Sequence, residues 1–364
     1  MTQISRLQFF YLMLWLILGT GITVLPFSIV QFTVQDGWMV SLFFFMGVAV
    51  AAPVGVWFIR TFPNQSLING FETAFGTWIA RAIGIWLLIW VFIQSSLVLR
   101  ELSVFVEITS LPRTPIYIIS GVIIIPISYC VFHGLEVSGR LAEFLTPVSF
   151  MFVLVVATLS LQNVDLSQLT PILANGWTPV LRASVLPSTS FSFQLLIALQ
   201  FAKSLHKGGK TFGRDLLLVG AFLSVSGVLI EGIIITVVGP AATYLSLPVG
   251  EVVRGIRIGQ FVERLDTIYV MGAISTMVVK NSVFLYAMSS MMMDVFRLPS
   301  IKHVVWPAGV AIWTGNILLF HNSPDLHQFM VYTSPAYYGF TLIVLPLMAI
   351  LVYRVKQAFQ VRSS

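Results

Sequence analysis

Leu16-Ile17-Leu18-Gly19-Thr20-Gly21-Ile22-Thr23-Val24-Leu25-Pro26 interrupts the first long apolar stretch of the chain. Apolar runs from Leu7 to Leu18 and from Ile22 to Val34 flank it, together about long enough to cross a hydrocarbon layer of ~30 Å. Two glycines around a hydroxyl near mid-membrane are expected to leave backbone amides and carbonyls without helical partners. Hydrocarbon tolerates such groups only where they line a cavity or meet a ligand. Gly19, Thr20 and Gly21 are therefore candidate ligand-binding residues. The same three also fit a small-residue patch for close helix packing, and the remainder of the sequence has to distinguish the two.

Composition sets the class. Of 364 residues, 57% are hydrophobic and 9% charged, whereas a soluble domain carries about 25% charged residues. The chain is expected to be a polytopic membrane protein with the lipid bilayer as its surroundings. The net charge of +6 is scattered through short loops and forms no continuous patch, so no nucleic-acid partner is expected. The single cysteine, Cys130, allows neither an internal disulfide nor a cysteine metal site. The first apolar run is too long for a signal peptide and has no small-residue cleavage site after it, so it is expected to be the first span.

Length and hydropathy place about ten spans, near 7–34, 38–60, 80–109, 115–132, 141–161, 185–203, 214–238, 266–290, 303–320 and 332–354. An even number puts both termini on one side. Arg6, Arg60, Arg81, Arg140, Lys203, Lys207, Lys210, Arg214, Arg297, Lys302, Arg354, Lys356 and Arg362 fall on that side, against Arg113, Arg182, Arg254, Arg257 and Arg264 opposite. This excess predicts cytoplasmic termini. Two loops are long, Asn163 to Ser184 and Ala241 to Leu265. The first reads as an irregular covering loop with short helical turns. The second, with Glu251, Arg254, Arg257, Glu263 and Arg264, reads as a surface helix leading into span eight. Both fit a lid over a cavity and equally a solvated loop.

The sixth span echoes the first. Leu186-Pro187-Ser188-Thr189-Ser190-Phe191-Ser192-Phe193-Gln194 sets a proline and a hydroxyl run where a regular apolar helix is expected. Interrupted helices at matching places in two halves point to an inverted-repeat transporter fold with its site at the midplane. Ser190, Phe191, Phe193 and Gln194 join the candidate site on this ground, in which half-helix N-termini hold a carboxylate and free carbonyls an ammonium. An amino acid matches both ends. In span three, Trp90, Gln94, Leu97 and Glu101 share one helical face. In span eight, Tyr269, Ala273, Thr276 and Lys280 do so, with Lys280 deep in an apolar run. A buried lysine must find a carboxylate, carbonyls or water, or lose its proton. Its ammonium is expected either to occupy the place of a coupling cation or to snorkel or pair structurally. Arg100 and Glu101 point about 100° apart and are expected to join a structural or gating charge network with Glu263, Arg264 and Asp266.

Other signals are weaker. Gly208-Gly209-Lys210-Thr211 lacks the first glycine and the preceding strand of a P-loop. His321 and His327 lack the spacing of a metal site, and Met291-Met292-Met293 fans around its helix. No set of nucleophile, base and orienter is present. Neither an enzyme activity nor a cofactor is expected.

Phe261-Val262-Glu263-Arg264-Leu265-Asp266 resembles the Phe-x-Glu-Arg-x-acidic signature of spore-germination permeases, the polytopic B subunits of nutrient germinant receptors. Further elements match in order: Leu25-Pro26, Asp36-Gly37-Trp38, Arg113-Thr114-Pro115-Ile116, Gly134-Leu135-Glu136-Val137-Ser138-Gly139-Arg140-Leu141, Asp165-Leu166, Leu169-Thr170-Pro171-Ile172-Leu173 and Thr211-Phe212. The resemblance implies an all-α, LeuT-like domain of the amino acid–polyamine–organocation superfamily, with ten helices in a five-plus-five inverted repeat and helices 1 and 6 broken. The first repeat would span about 7–161 and the second about 185–354. It also implies a nutrient sensor of the spore inner membrane working with a receptor A subunit and a C-subunit lipoprotein, its ligand lying between the two breaks against Trp90, Gln94, Thr276 and Lys280. Lys280 departs from the uncharged polar residue expected there. A sensor of a small amino acid, a proton-coupled amino acid transporter and a structural partner with a vestigial pocket all fit this sequence.

Overall fold

Ser5 starts the first helix. Its hydroxyl accepts from the Gln8 amide while the Gln8 side chain accepts from the Ser5 amide, at 3.1 Å each, a reciprocal cap. Helix α1 then runs from Arg6 to Val30. The computed structural model describes residues 4–205, 211–256, 265–320, 326 and 328–363. Glu263 and Arg264, together with Arg257, Lys207, Lys210, His321 and His327, lie outside the described residues.

The interruption expected at Gly19-Thr20-Gly21 is not a break: α1 stays helical through all three residues. Glycine weakens a helix by only about 1 kcal/mol, and here Gly19 lets another helix close on the backbone. A Cβ on Gly19 would meet Lys280 Cβ at 2.7 Å and the Thr276 carbonyl oxygen at 3.1 Å. The packing reading of this stretch therefore describes its backbone.

Helices α2 (Gly37–Thr61), a short α3 (Leu67–Phe75), α4 (Thr77–Thr109), α5 (Ile116–Phe132) and α6 (Leu135–Ser160) follow. Helix α3 escapes the hydropathy reading because it is too short to span; Ser66 caps its start and Gly76, at φ +85°, its end. Helix α7 (Trp177–Ser204) begins well before residue 185, which shortens the expected covering loop. Gly176, at φ +69°, turns the chain into it, and Pro179 is tolerated in its first turn. The loop before it keeps two short 3₁₀ turns, Leu161–Asn163 and Leu166–Leu169. Helix α8 (Phe212–Val238), a short α9 (Pro248–Gly255), α10 (Leu265–Phe296), α11 (Lys302–Leu318) and α12 (Phe329–Gln360) complete the chain. Among the described residues eight helices are long and apolar enough to cross a membrane. Helix α5 is a shorter apolar helix, and α5 and α11, at 17 residues each, reach ~26 Å at the places of the fourth and ninth expected spans.

Burial separates inner from outer helices. The most apolar windows of α1, α7 and α10 are 72%, 78% and 61% buried, against 6% for α6, so the first three form the axis. Helix α6 instead presents Phe144, Met151 and Leu154 outward, the apolar surface a bilayer requires. Helix α1 packs on α10, α10 on α4, and α2 along α8. Where α2 crosses α7, a Cβ on Gly47 would collide with the Ser188 carbonyl and the Ser192 hydroxyl; only glycine fits there.

The expected disturbance of span six appears as a change of helical type. Pro187–Phe191 forms a π-turn and Leu195–Ser204 a 3₁₀ segment with Phe201 at φ −113°, ψ 23°. Pro187 lacks the N–H an α-helix needs. Three hydroxyls bond back to this stretch's own carbonyls: Ser188 Oγ donates to the Ser184 carbonyl at 2.6 Å, Thr189 Oγ1 to Val185 at 2.5 Å and Ser192 Oγ to Ser188 at 2.5 Å. Helix α12 carries two further π-turns, Phe329–Thr333 and Gly339–Val344, around Ser334–Tyr338. Such turns concentrate at functional sites.

Candidate functional site

The two irregular helices face each other across α1, α4 and α10. Thr20, Gln94, Leu97, Val98, Leu186, Ser190, Phe191, Gln194, Lys280, Met330, Ser334 and Tyr338 enclose a cavity in which the centre of a water molecule can range over about 30 Å³. That is room for a water or two; anything larger requires the helices to part.

A chain of hydrogen bonds spans the wall. Lys280, 1% exposed, donates through Nζ to Thr20 Oγ1 at 2.5 Å and to Gln194 Oε1 at 3.1 Å. Gln194 Nε2 donates to Tyr338 Oη at 2.7 Å, and Tyr338 Oη donates to Gln94 Oε1 at 3.0 Å. Five helices, α10, α1, α7, α12 and α4, are thereby tied together. The ammonium also sits 5.3 Å from the Phe191 ring centre and 5.9 Å from that of Phe284, close enough for cation–π attraction. Behind this wall Thr23 Oγ1 donates to Glu101 Oε1 and lies within hydrogen-bond distance of the Thr20 carbonyl, and Glu101 and Lys280 are near enough to sense each other's charge. Lys280 does not snorkel to an interface: its stem is held on Gly19 and its head in this network.

The hydroxyl run of span six divides accordingly. Ser188, Thr189 and Ser192 serve their own helix, while Ser190 Oγ is buried without a hydrogen bond and lines the cavity. The face expected on α4 forms as read, with Gln94 and Leu97 on the cavity. Trp90 stands behind it, its ring edge-on to Tyr338 at 5.1 Å and its Nε1 unpartnered. Gly19, Gly21, Phe193 and Thr276 do not line the cavity. Gly19 holds the Lys280 stem, Gly21 lies beside Phe191 and Phe193 beside Gly339. Thr276 turns its hydroxyl to the Ala273 carbonyl at 2.7 Å.

The charge network differs from expectation. Glu101 finds Thr23, a neutral partner one turn beyond Thr20, whereas Asp266 Oδ1 has no hydrogen bond. Arg100 is half-buried on α4 within reach of the charge of Glu107. Tyr338, Ser334 and Met330 were not singled out from the sequence. Their signal was faint: Ser334 and Tyr338 stand four residues apart on one helical face, inside a segment that otherwise reads as plain span.

The helical bundle that carries this pocket has counterparts among solved structures. The chain is similar to MHP1, a nucleobase-cation-symport-1 family transporter, with a TM-score of 0.69 and 14% identity over 96% of this chain and 78% of that one. It is also similar to MhsT in complex with L-phenylalanine, with a TM-score of 0.63 and 15% identity over 97% and 96% of the two chains. The fold is thus the LeuT-like helical fold of multi-pass membrane proteins. The family model described as Spore germination protein matches residues 3–325, and the chain belongs to that family. Relatives include spore germination protein KB of Bacillus subtilis, 23% identical over 88% of this chain and 86% of that protein. Another is spore germination protein XB of Bacillus anthracis, 25% identical over 71% and 73%.

Proposed function

We propose that this chain is the membrane B subunit of a nutrient germinant receptor, which admits a small amino acid or similar nutrient to the cavity around Thr20, Gln94, Ser190, Gln194, Lys280 and Tyr338. The observation that carries the reading is the hydrogen-bond chain across five helices. A ligand larger than a water or two must spread the helices that this chain joins, so binding and a change of helix arrangement become one event. An A subunit and a C-subunit lipoprotein in the inner membrane of the spore then respond to that arrangement. Both termini lie in the cytoplasm on this reading, and the inverted repeats comprise about 7–161 and 185–354. Membership of the germination family and the germination names of the relatives support it.

The test is reconstitution of the purified chain in proteoliposomes with labelled amino acids, reading binding and accumulation separately. Saturable binding without accumulation is the expected result. A second reading, a proton-coupled amino acid transporter, is favoured by the fold shared with MHP1 and by the buried Lys280 and Glu101. Concentrative uptake driven by a proton gradient would establish it in place of the sensor. Absence of any binding would overturn both.

A further inference from the structure

The cavity wall constrains the ligand more tightly than its size does. Helix α1 is regular through Gly19, Thr20 and Gly21, so their amides are engaged within the helix and cannot cradle a ligand's carboxylate. Side chains must do so. A lysine ammonium can only donate, and it therefore fixes every group beyond it. Gln194 must turn Oε1 to Lys280, which turns its Nε2 to Tyr338. The tyrosine oxygen accepts that bond and gives its own proton to Gln94, which must present Oε1. Gln94 Nε2 is left buried and without a partner. The polar atoms still unpaired on or beside the wall are thus Gln94 Nε2, Ser190 Oγ and, behind Tyr338, Trp90 Nε1, with Glu101 Oε2 deeper, behind Thr23: two donors and a hydroxyl next to Lys280, and one carboxylate oxygen off the wall. The carboxylate of Glu101 is not on the wall; it lies behind Thr23.

We propose that the cavity recognises its ligand through an anionic oxygen group, a carboxylate, held by Lys280 Nζ with Ser190 Oγ and Gln94 Nε2, and that an amino group on the ligand is not required. The inference rests on the ligand-binding reading given above. A carboxylate satisfies the orphan donors and the ammonium together, in charge-assisted bonds. A ligand ammonium finds no carboxylate on the wall and meets the like charge of Lys280.

The experiment titrates the purified full chain by calorimetry with L-alanine, L-valine and L-phenylalanine, each beside its 2-hydroxy acid and its carboxamide. The 2-hydroxy acid should bind within about tenfold of the matching amino acid, while the carboxamide, which keeps the amine and lacks the anion, should bind at least about a hundredfold more weakly. Ser190→Ala should weaken acid binding by about tenfold. Lys280→Met should abolish it, and Ser190→Ala keeps the question answerable if the lysine variant does not fold. Carboxamides binding as well as acids, hydroxy acids failing where amino acids bind, or unchanged affinity in both variants would each overturn the proposal and leave the ligand-binding reading standing. Binding of none of the nine compounds would overturn that reading, and this proposal with it.

Discussion

The aliphatic stem of Lys280 lies directly on the backbone of Gly19, so that a methyl group there would stand 2.7 Å from the lysine Cβ and 2.8 Å from its Cδ. Backbone on one side and a constrained side chain on the other leave no easy relief. Gly19→Ala is therefore expected to push α1 from α10 and destabilise the protein by about 2 kcal/mol, in the range of overpacked cores. Gly21→Ala, whose methyl would make ordinary contacts of 3.7–3.9 Å, should be neutral or gain up to about 1 kcal/mol of helix propensity. Thermal unfolding of the two variants in one detergent checks the contrast; equal midpoints would contradict it.

Removing the ammonium strands Thr20 Oγ1 and Gln194 Oε1 and leaves Glu101 buried beside a single hydroxyl. Lys280→Met should lower stability by about 2 kcal/mol, the cost of stranded buried polar groups. Adding Glu101→Gln should recover part of the loss, giving a coupling of about 1 kcal/mol or more in a double-mutant cycle. Strict additivity would show that the two charges do not sense each other.

Tyr338 both accepts from Gln194 and donates to Gln94. Tyr338→Phe keeps the ring against Trp90 but strands two buried amide groups, at a cost of about 2 kcal/mol. Combining it with Gln94→Leu should restore stability relative to Tyr338→Phe alone, since one stranded group disappears. A double variant less stable than either single one would contradict the relay.

Outside the spans, Glu72 on α3 accepts from Thr77 Oγ1 at 2.9 Å and from Arg297 at 2.7 Å. The Thr77 hydroxyl, helped by the Arg297 charge, holds this carboxyl below its ordinary range. A depressed folded-state value stabilises the fold above about pH 5 and loses that contribution as pH falls through the folded-state value. Because the Arg297 side chain is 61% exposed and that of Glu72 36%, the effect should stay under about 1 kcal/mol. Unfolding midpoints measured from pH 7 down to pH 3 should fall less steeply in Glu72→Gln than in the parent chain.

Length and apolarity alone placed the ten crossings, because hydrocarbon leaves a chain little choice but helices of about 20 residues. The site was legible where helical periodicity brings polar groups to one face, as for Gln94 and Lys280, and where proline removes an N–H, as at Pro187. Gly19 was legible as special but not in kind: open backbone and close contact share one composition, and only the partner helix decides between them. The hydroxyl run Ser188 to Ser192 did not show which of its members serve their own helix, as Ser188, Thr189 and Ser192 do, because a sequence does not reveal which carbonyls the π-turn leaves open. Tyr338 was hidden for the opposite reason, since a tyrosine in an apolar span ordinarily marks the membrane interface and only its neighbours Gln94 and Gln194 bring it into the centre.

Gly47 gives the bundle a mechanical linkage. The Ser188 carbonyl rests in the notch left by its missing side chain, so α2 has no slack against the turn that carries Ser190. Helix α2 in turn lies along α8, a helix with no residue on the cavity wall. Gly47 is thus the contact through which any shift of the turn carrying Ser190 would reach the pair formed by α2 and α8.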